Sequence, residues 1–350
     1  MNPIIILVAG VALVLGWLSF DRVYNPTKAA SLKLEPTVRE TRTERLLAVR
    51  ALAFFFILNF MLTAVGVLVG ALIVALVAPP KNANFVVAYG QALIQAGGAA
   101  DGPLNPMALG GAIIGFGAAI GAVFISQKYI RGESILDLGL RYYKVAPLDM
   151  IAGLLFGPIA FAIVFVTERS AGYVVGTRGP TFDAGQIIIY LLTFLLVAVS
   201  EEIVVRGYIL RTLNTAWDGA IAIVASSVFW GLAHLLNPHS SPIAALDITV
   251  AGLVFAYAYV ISGRLWLPIA LHFAWNFAEG VIFGFPVSGY LLPNAIFQPY
   301  VEGPNAVTGD GFGPEGGVIM MLALAVVGGL LFGWSKVRQA PVPKPQNTDK

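Results

Sequence analysis

Nine runs of apolar residues, separated by polar or Gly- and Pro-rich segments, dominate the pattern of this chain. A transmembrane helix needs about 20 predominantly apolar residues, and each run is close to that length. No Lys or Arg precedes the first run, so we interpret it as a retained helix rather than a cleaved signal peptide. The runs are 3–20, 51–77, 108–126, 150–166, 186–213, 219–236, 244–262, 265–285 and 318–334.

The basic residues fall in alternate connecting segments. Lys and Arg are concentrated in 21–50, in 127–144 and after residue 335, whereas 286–317 contains neither and is rich in Gly and Pro. Positively charged loops stay on the cytoplasmic side, so the pattern predicts that the N-terminus lies outside and the C-terminus inside. We therefore expect an all-α, polytopic bundle of about nine spans, with an external loop at 286–317 and a disordered basic tail.

Composition agrees with a membrane protein and excludes several functions. The 350 residues are 58% hydrophobic and 11% charged, which excludes an ordinary soluble domain. A net charge of +2 gives no sign of nucleic acid binding. The absence of cysteine excludes disulfides, thiolate metal sites and a cysteine nucleophile. We expect an integral membrane protein of a prokaryotic plasma membrane, in contact with lipid; the oligomeric state stays open.

The fifth run ends on charged residues, Glu201, Glu202 and Arg206. On insertion scales each charge costs about 2.5–3.5 kcal/mol at a helix centre, whereas each large aliphatic residue returns only about 0.3–0.6 kcal/mol. Such a helix is stable only if its charges face partners or a water-filled cavity. Two interpretations remain: a polar reaction or transport site within the membrane, and a structural ion pair between helices.

Polar side chains in two later runs suggest that the charges converge on one site. His234 closes the sixth run, and His272 and Asn276 lie four residues apart in the eighth. Residues four apart share a helix face, so Glu202 should pair with Arg206 and leave Glu201 to face a cavity. At about 1.5 Å per residue, Glu201 and the two histidines can reach compatible depths in the bilayer.

The motifs Glu-Glu-x-x-x-Arg, aromatic-x-x-x-His and His-x-x-x-Asn, in this order, resemble the CPBP family. This family, also called ABI, comprises CAAX proteases and bacteriocin-processing or self-immunity proteins, including the Ras-converting CAAX endopeptidase. The similar region runs from Asp137 to Asn276 and includes the Leu136–Arg141 segment. One departure is that Trp230 stands where the family usually has Phe. We divide the chain into N-terminal helices (1–126), a catalytic core (127–285) and a C-terminal part (286–350).

The resemblance implies an intramembrane endopeptidase that uses a glutamate-activated water and no cofactor. Glu201 would be the general base, with His234 orienting the water, while His272 and Asn276 would donate hydrogen bonds to the oxyanion. Glu202 and Arg206 would tune the pKa of Glu201 and position the helix. The aromatic residues beside these motifs are candidates for the substrate pocket: Phe229, Trp230 and Phe273.

Several alternatives remain open. Glu201, His234 and His272 could bind zinc, although His-Glu-x-x-His is absent and Asn is a poor zinc ligand. The chain could also be a non-catalytic immunity factor or scaffold, or a transporter. A membrane site favours a lipidated CAAX-type peptide or a bacteriocin-like peptide as substrate. Glu279 could extend the site or be a solvated or structural carboxylate, and we expect Asp247 and His239 at external helix ends without a role.

Overall fold

The computed structural model describes residues 42–77, 106–179 and 183–338. In these ranges eight long helices succeed one another, and four of them continue as π-helical or 3-10 turns. They are α1 (Arg42–Val77), α2 (Pro106–Ile125), α3 (Ala146–Ser170), α4 (Ala184–Glu202), α5 (Gly219–Ala233), α6 (Pro242–Ser262), α7 (Trp266–Phe277) and α8 (Met320–Val337). After α2, α4 and α7 come π-helical segments at Ser126–Ile130, Ile203–Leu210 and Ala278–Ile282, and after α5 a 3-10 turn at His234–Leu236.

Eight of the nine apolar runs coincide with these helices. Within the described ranges, seven helices are long and apolar enough to cross a membrane, and α7 is shorter, with 12 residues before its π-helical turn. The chain is therefore a multi-pass, mostly helical membrane protein. The first run, 3–20, and the tail after Arg338, for which we expected disorder, lie outside the described residues. The orientation of the termini stays a prediction.

The predicted helical bundle also contains one small sheet. The loop after α3 forms a strand, β1 (Val174–Arg178), which pairs antiparallel with β2 (Gln298–Val301) from the predicted external loop. The rest of that loop folds into short helical turns, in which Glu315 and Phe312 are buried. Glycines make these turns possible: Gly309 and Gly313 have φ of 86° and 94°, which side chains rarely adopt.

Helix α6 lies at the centre of the bundle and is the most buried of the long helices. Ser241 caps its N-terminus by accepting from the Ala244 N–H, and Gly263 ends it in the left-handed conformation. Its Val254 and Phe255 belong to the main hydrophobic core, which also takes in residues of α3, α7 and α8. The fourth, seventh, eighth and ninth apolar runs thus pack around a shared interior.

Arg338, directly after α8, fixes this helix to two others. Its guanidinium contacts the buried Asp149 of α3 at 2.9 Å and donates to the carbonyl oxygen of Ile261 in α6 at 2.7 Å. Trp334 donates to the same carboxylate at 2.8 Å. A buried charge is tolerated when it is paired and hydrogen-bonded in this way.

Helix α3 crosses α7 so closely that only glycine fits between them. A Cβ on Gly153 would lie 2.6 Å from the backbone N of Leu271, and one on Gly157 would lie 2.5 Å from that of Trp275. The two glycines are four residues apart, the spacing at which small residues allow close helix contact in membranes. The glycines thereby set the position of α7, which carries His272 and Asn276.

Replacement of Gly157 with alanine should destabilise the fold and displace α7. Alanine is the better helix former, but backbone atoms of Trp275 and Ala274 occupy the space for its Cβ. Overpacking of this kind costs about 1–3 kcal/mol, so the melting temperature in detergent should fall. Gly117→Ala in α2 is the matched control, because among the described residues no atom beyond its chain neighbours and its own helix backbone lies within 4 Å of the added Cβ. A wild-type melting temperature for Gly157→Ala would contradict this packing.

Candidate active site

The two adjacent glutamates lie at the end of the α-helical part of α4. Directly after Glu202, residues Ile203–Leu210 are π-helical, and such segments are frequent at functional sites. Glu202 is fully buried, whereas Glu201 is partly exposed. Neighbours in sequence therefore occupy two different environments.

The segment before α3 helps to fix this part of α4. Ser134 and Asp137 form a capping box on a 3-10 turn, and Gly139 follows it with φ of 103°. The carbonyl oxygen of Gly139 accepts from the Leu265 N–H at 3.0 Å, just before α7. A Cβ on Gly207 would lie 3.2 Å from the carbonyl oxygen of Leu138. The segment thus packs against both the π-helical turn and the start of α7.

At the exposed edge of the same segment, Arg141 forms an ion pair with Asp137 at 2.8 Å. This hydrogen-bonded contact lowers the pKa of the Asp137 carboxyl. Because both side chains are exposed, we assign the pair no role in the site.

One oxygen of Glu202 contacts two partners. Its Oε1 accepts from Arg206 Nη1 at 2.8 Å, and His272 Nδ1 lies 3.0 Å from the same oxygen. Arg206 also donates to the carbonyl oxygen of Gly252 in α6 at 3.3 Å. The Glu202–Arg206 pair that helical spacing predicted is present, and it joins α4 to α6 and α7.

Glu201 accepts a hydrogen bond from the indole N–H of Trp230, at 2.7 Å. The Trp230 ring also lies edge-on to the rings of His234 and His272, at centroid distances of 5.1 and 5.6 Å. The Arg206 guanidinium lies over the Trp230 ring, 4.3 Å from its centroid. Trp230 thus contacts four polar residues that the sequence motifs singled out. We expected it only as a pocket-lining residue; its indole N–H was the available clue to a polar role.

His234 follows the last turn of α5. Its Nδ1 lies 2.8 Å from the carbonyl oxygen of Trp230. A carbonyl oxygen can only accept, so Nδ1 must carry the hydrogen. In the neutral ring Nε2 is then an acceptor, available to a water molecule or a proton.

His272 and Asn276 are both buried on α7, one helical turn apart. The His272 ring lies 5.2 Å from the Phe255 ring. Since Nδ1 contacts Glu202, Nε2 is the nitrogen left for another partner. A ring that already donates from Nδ1 can donate from Nε2 only as an imidazolium. The Asn276 amide donates without any change of protonation.

The other two aromatic candidates make contacts away from these polar groups. Phe229 packs on Phe56 of α1 with a centroid distance of 5.3 Å, and Phe273 stacks on Phe277 at 5.9 Å. Their role in a substrate pocket stays a prediction.

A second set of buried carboxylates lies near the folded loop, and sequence reasoning missed most of it. Glu315 accepts from Trp275 Nε1 at 2.8 Å and from Ser288 Oγ at 2.5 Å. Asp247 and Glu279 are buried without a hydrogen-bond partner among the described residues. The alternative of a solvated Glu279 is therefore wrong. The loop lies against this carboxylate, since a Cβ on Gly313 would be 3.4 Å from Glu279 Oε1, and the apolar runs gave no means to foresee that contact.

Metal binding was the alternative for Glu201, His234 and His272. Within the described part of the chain, no group of three or more Asp, Glu or His side chains is arranged to hold a metal ion. The absence of a cofactor nonetheless stays a prediction, which a chelator can test.

The region from α4 to α7, with both helices included, is similar to a known protein family. Residues 183–278 match the family model described as type II CAAX prenyl endopeptidase Rce1-like. No curated protein and no solved structure matches the chain. The matched segment lies inside the predicted core, 127–285, and contains Glu201, His234, His272 and Asn276. The chain is thus a multi-pass membrane protein whose residues 183–278 are similar to type II CAAX prenyl endopeptidases.

Proposed function

We propose that this protein is an intramembrane endopeptidase in which Glu201 activates a water molecule. The observation that carries the proposal is the difference between the adjacent carboxylates. Glu202 is buried and ion-paired with Arg206. Glu201 is partly exposed and is held on one oxygen by the Trp230 N–H. Of the two, only Glu201 can both meet a water molecule and accept its proton.

Hydrolysis begins with a water molecule between Glu201 and His234. Glu201 takes one proton, and Nε2 of His234 orients the water as an acceptor. The oxygen attacks the peptide carbonyl carbon, and the carbonyl oxygen becomes an oxyanion that accepts from Asn276 and from Nε2 of a protonated His272. The tetrahedral intermediate collapses, and the proton on Glu201 passes to the departing amine. Glu201 is then ionised again, and the products are a carboxylic acid and an amine.

The substrate that this site favours is a peptide with a lipid-soluble part. The family description names CAAX prenyl endopeptidases, and a helical bundle of apolar surface admits a lipid chain more readily than a charged peptide. A prenylated CAAX-type peptide is therefore the first substrate class to test. A bacteriocin-like peptide is the second.

The proposal is tested by cleavage with the purified protein in lipid nanodiscs. The probe is a farnesylated peptide with a C-terminal CAAX sequence, beside the same peptide without the lipid and a hydrophobic bacteriocin-like peptide. We expect cleavage at one bond of a lipidated or hydrophobic peptide, unaffected by a chelator. Loss of cleavage with chelator and recovery with zinc would replace this mechanism by a metal-dependent one. Absence of cleavage of all three peptides would favour a non-catalytic scaffold, immunity factor or transporter.

Asn276→Ala should lower kcat about 10²–10³-fold, because it removes a donor to the oxyanion. KM should change little, since the hydrogen bond strengthens in the transition state. Asn305→Ala is the matched control: its side chain donates to Asp310 at 3.0 Å, within the loop before α8. Equal losses for both variants would contradict the oxyanion role.

A further inference from the structure

We propose that Trp230 is a positioning residue that holds the Glu201 carboxylate in its reactive orientation through the indole N–H. The inference rests on the proposed function of Glu201, which it extends. It concerns a residue that the sequence motifs treat only as an aromatic neighbour of His234. The geometry around the indole gives it a more specific task.

The indole ring is fixed from several sides. Trp230 is 5% exposed, and its ring packs against His234, His272 and Phe255, with centroid distances from 5.1 to 5.6 Å. Arg206 lies over the ring at 4.3 Å. A ring held in this way points its N–H in one direction, and that direction ends on Oε2 of Glu201 at 2.7 Å. The donor is thus placed before any substrate binds.

The charges around the indole favour a strong hydrogen bond. The acceptor is a carboxylate, and hydrogen bonds to ionised acceptors are shorter and stronger than neutral ones. The Arg206 guanidinium over the ring face makes a cation–π contact, and its positive charge increases the polarity of the N–H. Arg206 also holds Glu202. Trp230 therefore connects the ion pair of Glu202 to the orientation of Glu201.

One oxygen of Glu201 is occupied by the indole, and the other is left for water. A free carboxylate on a helix rotates between rotamers, and only some of them bring an oxygen to the site of attack. Misplacement of a reacting group by about 1 Å can reduce the rate about a hundredfold. A phenylalanine at position 230 would keep an aromatic ring beside His234 but would supply no donor. Replacement with Phe therefore separates the N–H from the packing of the ring.

The experiment compares Trp230→Phe with Trp275→Phe. Both remove an indole N–H from a carboxylate, since Trp275 donates to Glu315 at 2.8 Å, but Glu315 is not among the proposed catalytic residues. With the farnesylated CAAX peptide, we expect Trp230→Phe to lower kcat about tenfold or more while KM stays within about twofold. Trp275→Phe should lower the melting temperature and leave kcat within about twofold. A wild-type kcat for Trp230→Phe would overturn the proposal.

A spectroscopic measurement tests the hydrogen bond without any substrate. Glu201→Gln should change the tryptophan fluorescence of the wild-type protein, because the amide replaces the charged acceptor at the indole. The same substitution should have no effect in the Trp230→Phe background. Equal changes in both backgrounds would overturn the proposal, even if no peptide is cleaved. If Glu201→Gln retains activity, the proposed function is refuted. If Glu201→Gln is inactive and Trp230→Phe is fully active, only the positioning role of Trp230 is refuted.

Discussion

Glu201→Gln should lower kcat by about 10²–10⁴-fold without unfolding the protein. The amide has the same size as the carboxylate, and its oxygen can still accept from the Trp230 N–H. It cannot accept a proton from water at neutral pH. Because Glu201 is not part of the Glu202–Arg206 ion pair, its neutralisation leaves that pair intact. The loss should appear in kcat measured with the farnesylated peptide, and the melting temperature should stay close to that of wild type.

Glu302→Gln is the matched control for this substitution. Glu302 is an exposed residue after β2, so the same chemical change there should leave kcat unaltered. Cleavage by Glu201→Gln at more than a tenth of the wild-type rate would contradict the role of Glu201 as general base.

Arg206→Met should destabilise the protein by about 3–5 kcal/mol, the cost of leaving a buried charge unpaired. Methionine fills part of the space of the arginine side chain, but Glu202 keeps only its contact with His272. The cation over the Trp230 and Phe255 rings is lost as well. We expect a large fall of the unfolding midpoint in a detergent or denaturant titration, together with loss of activity.

Two further variants show whether the effect comes from the unpaired charge. In the double variant Glu202→Gln/Arg206→Met both charges are gone, so stability should recover in part relative to Arg206→Met. Arg141→Met breaks the exposed pair with Asp137 and should change stability little. A double variant that is less stable than Arg206→Met would contradict the buried ion pair as the source of the effect.

Much of the fold follows from local properties of the sequence. The apolar run 219–236 coincides with α5 and its 3-10 turn, and the run 244–262 coincides with α6. The hydrocarbon core of a membrane requires helices because they satisfy their own backbone hydrogen bonds. The Glu202–Arg206 contact was predictable since both residues lie on one helix, four positions apart. Even the π-helical turn after Glu202 preserves this contact.

Contacts between distant parts of the chain could not be predicted in the same way. Glu201 and Trp230 are 29 residues apart on different helices. Helical spacing does not determine which side chains of two different helices come into contact. The contact of His272 Nδ1 with Glu202, 70 residues away, was not predicted either. The burial of Glu315 depends on tight turns of the loop, which Gly and Pro allow but do not specify.

The central claim is that the two neighbouring glutamates have different tasks. The most direct test measures single-turnover cleavage of the farnesylated peptide and the melting temperature for Glu201→Gln and Glu202→Gln in parallel. We expect Glu201→Gln to melt like wild type without cleaving, and Glu202→Gln to melt at a lower temperature while retaining measurable cleavage. Faster cleavage by Glu201→Gln than by Glu202→Gln would contradict the claim.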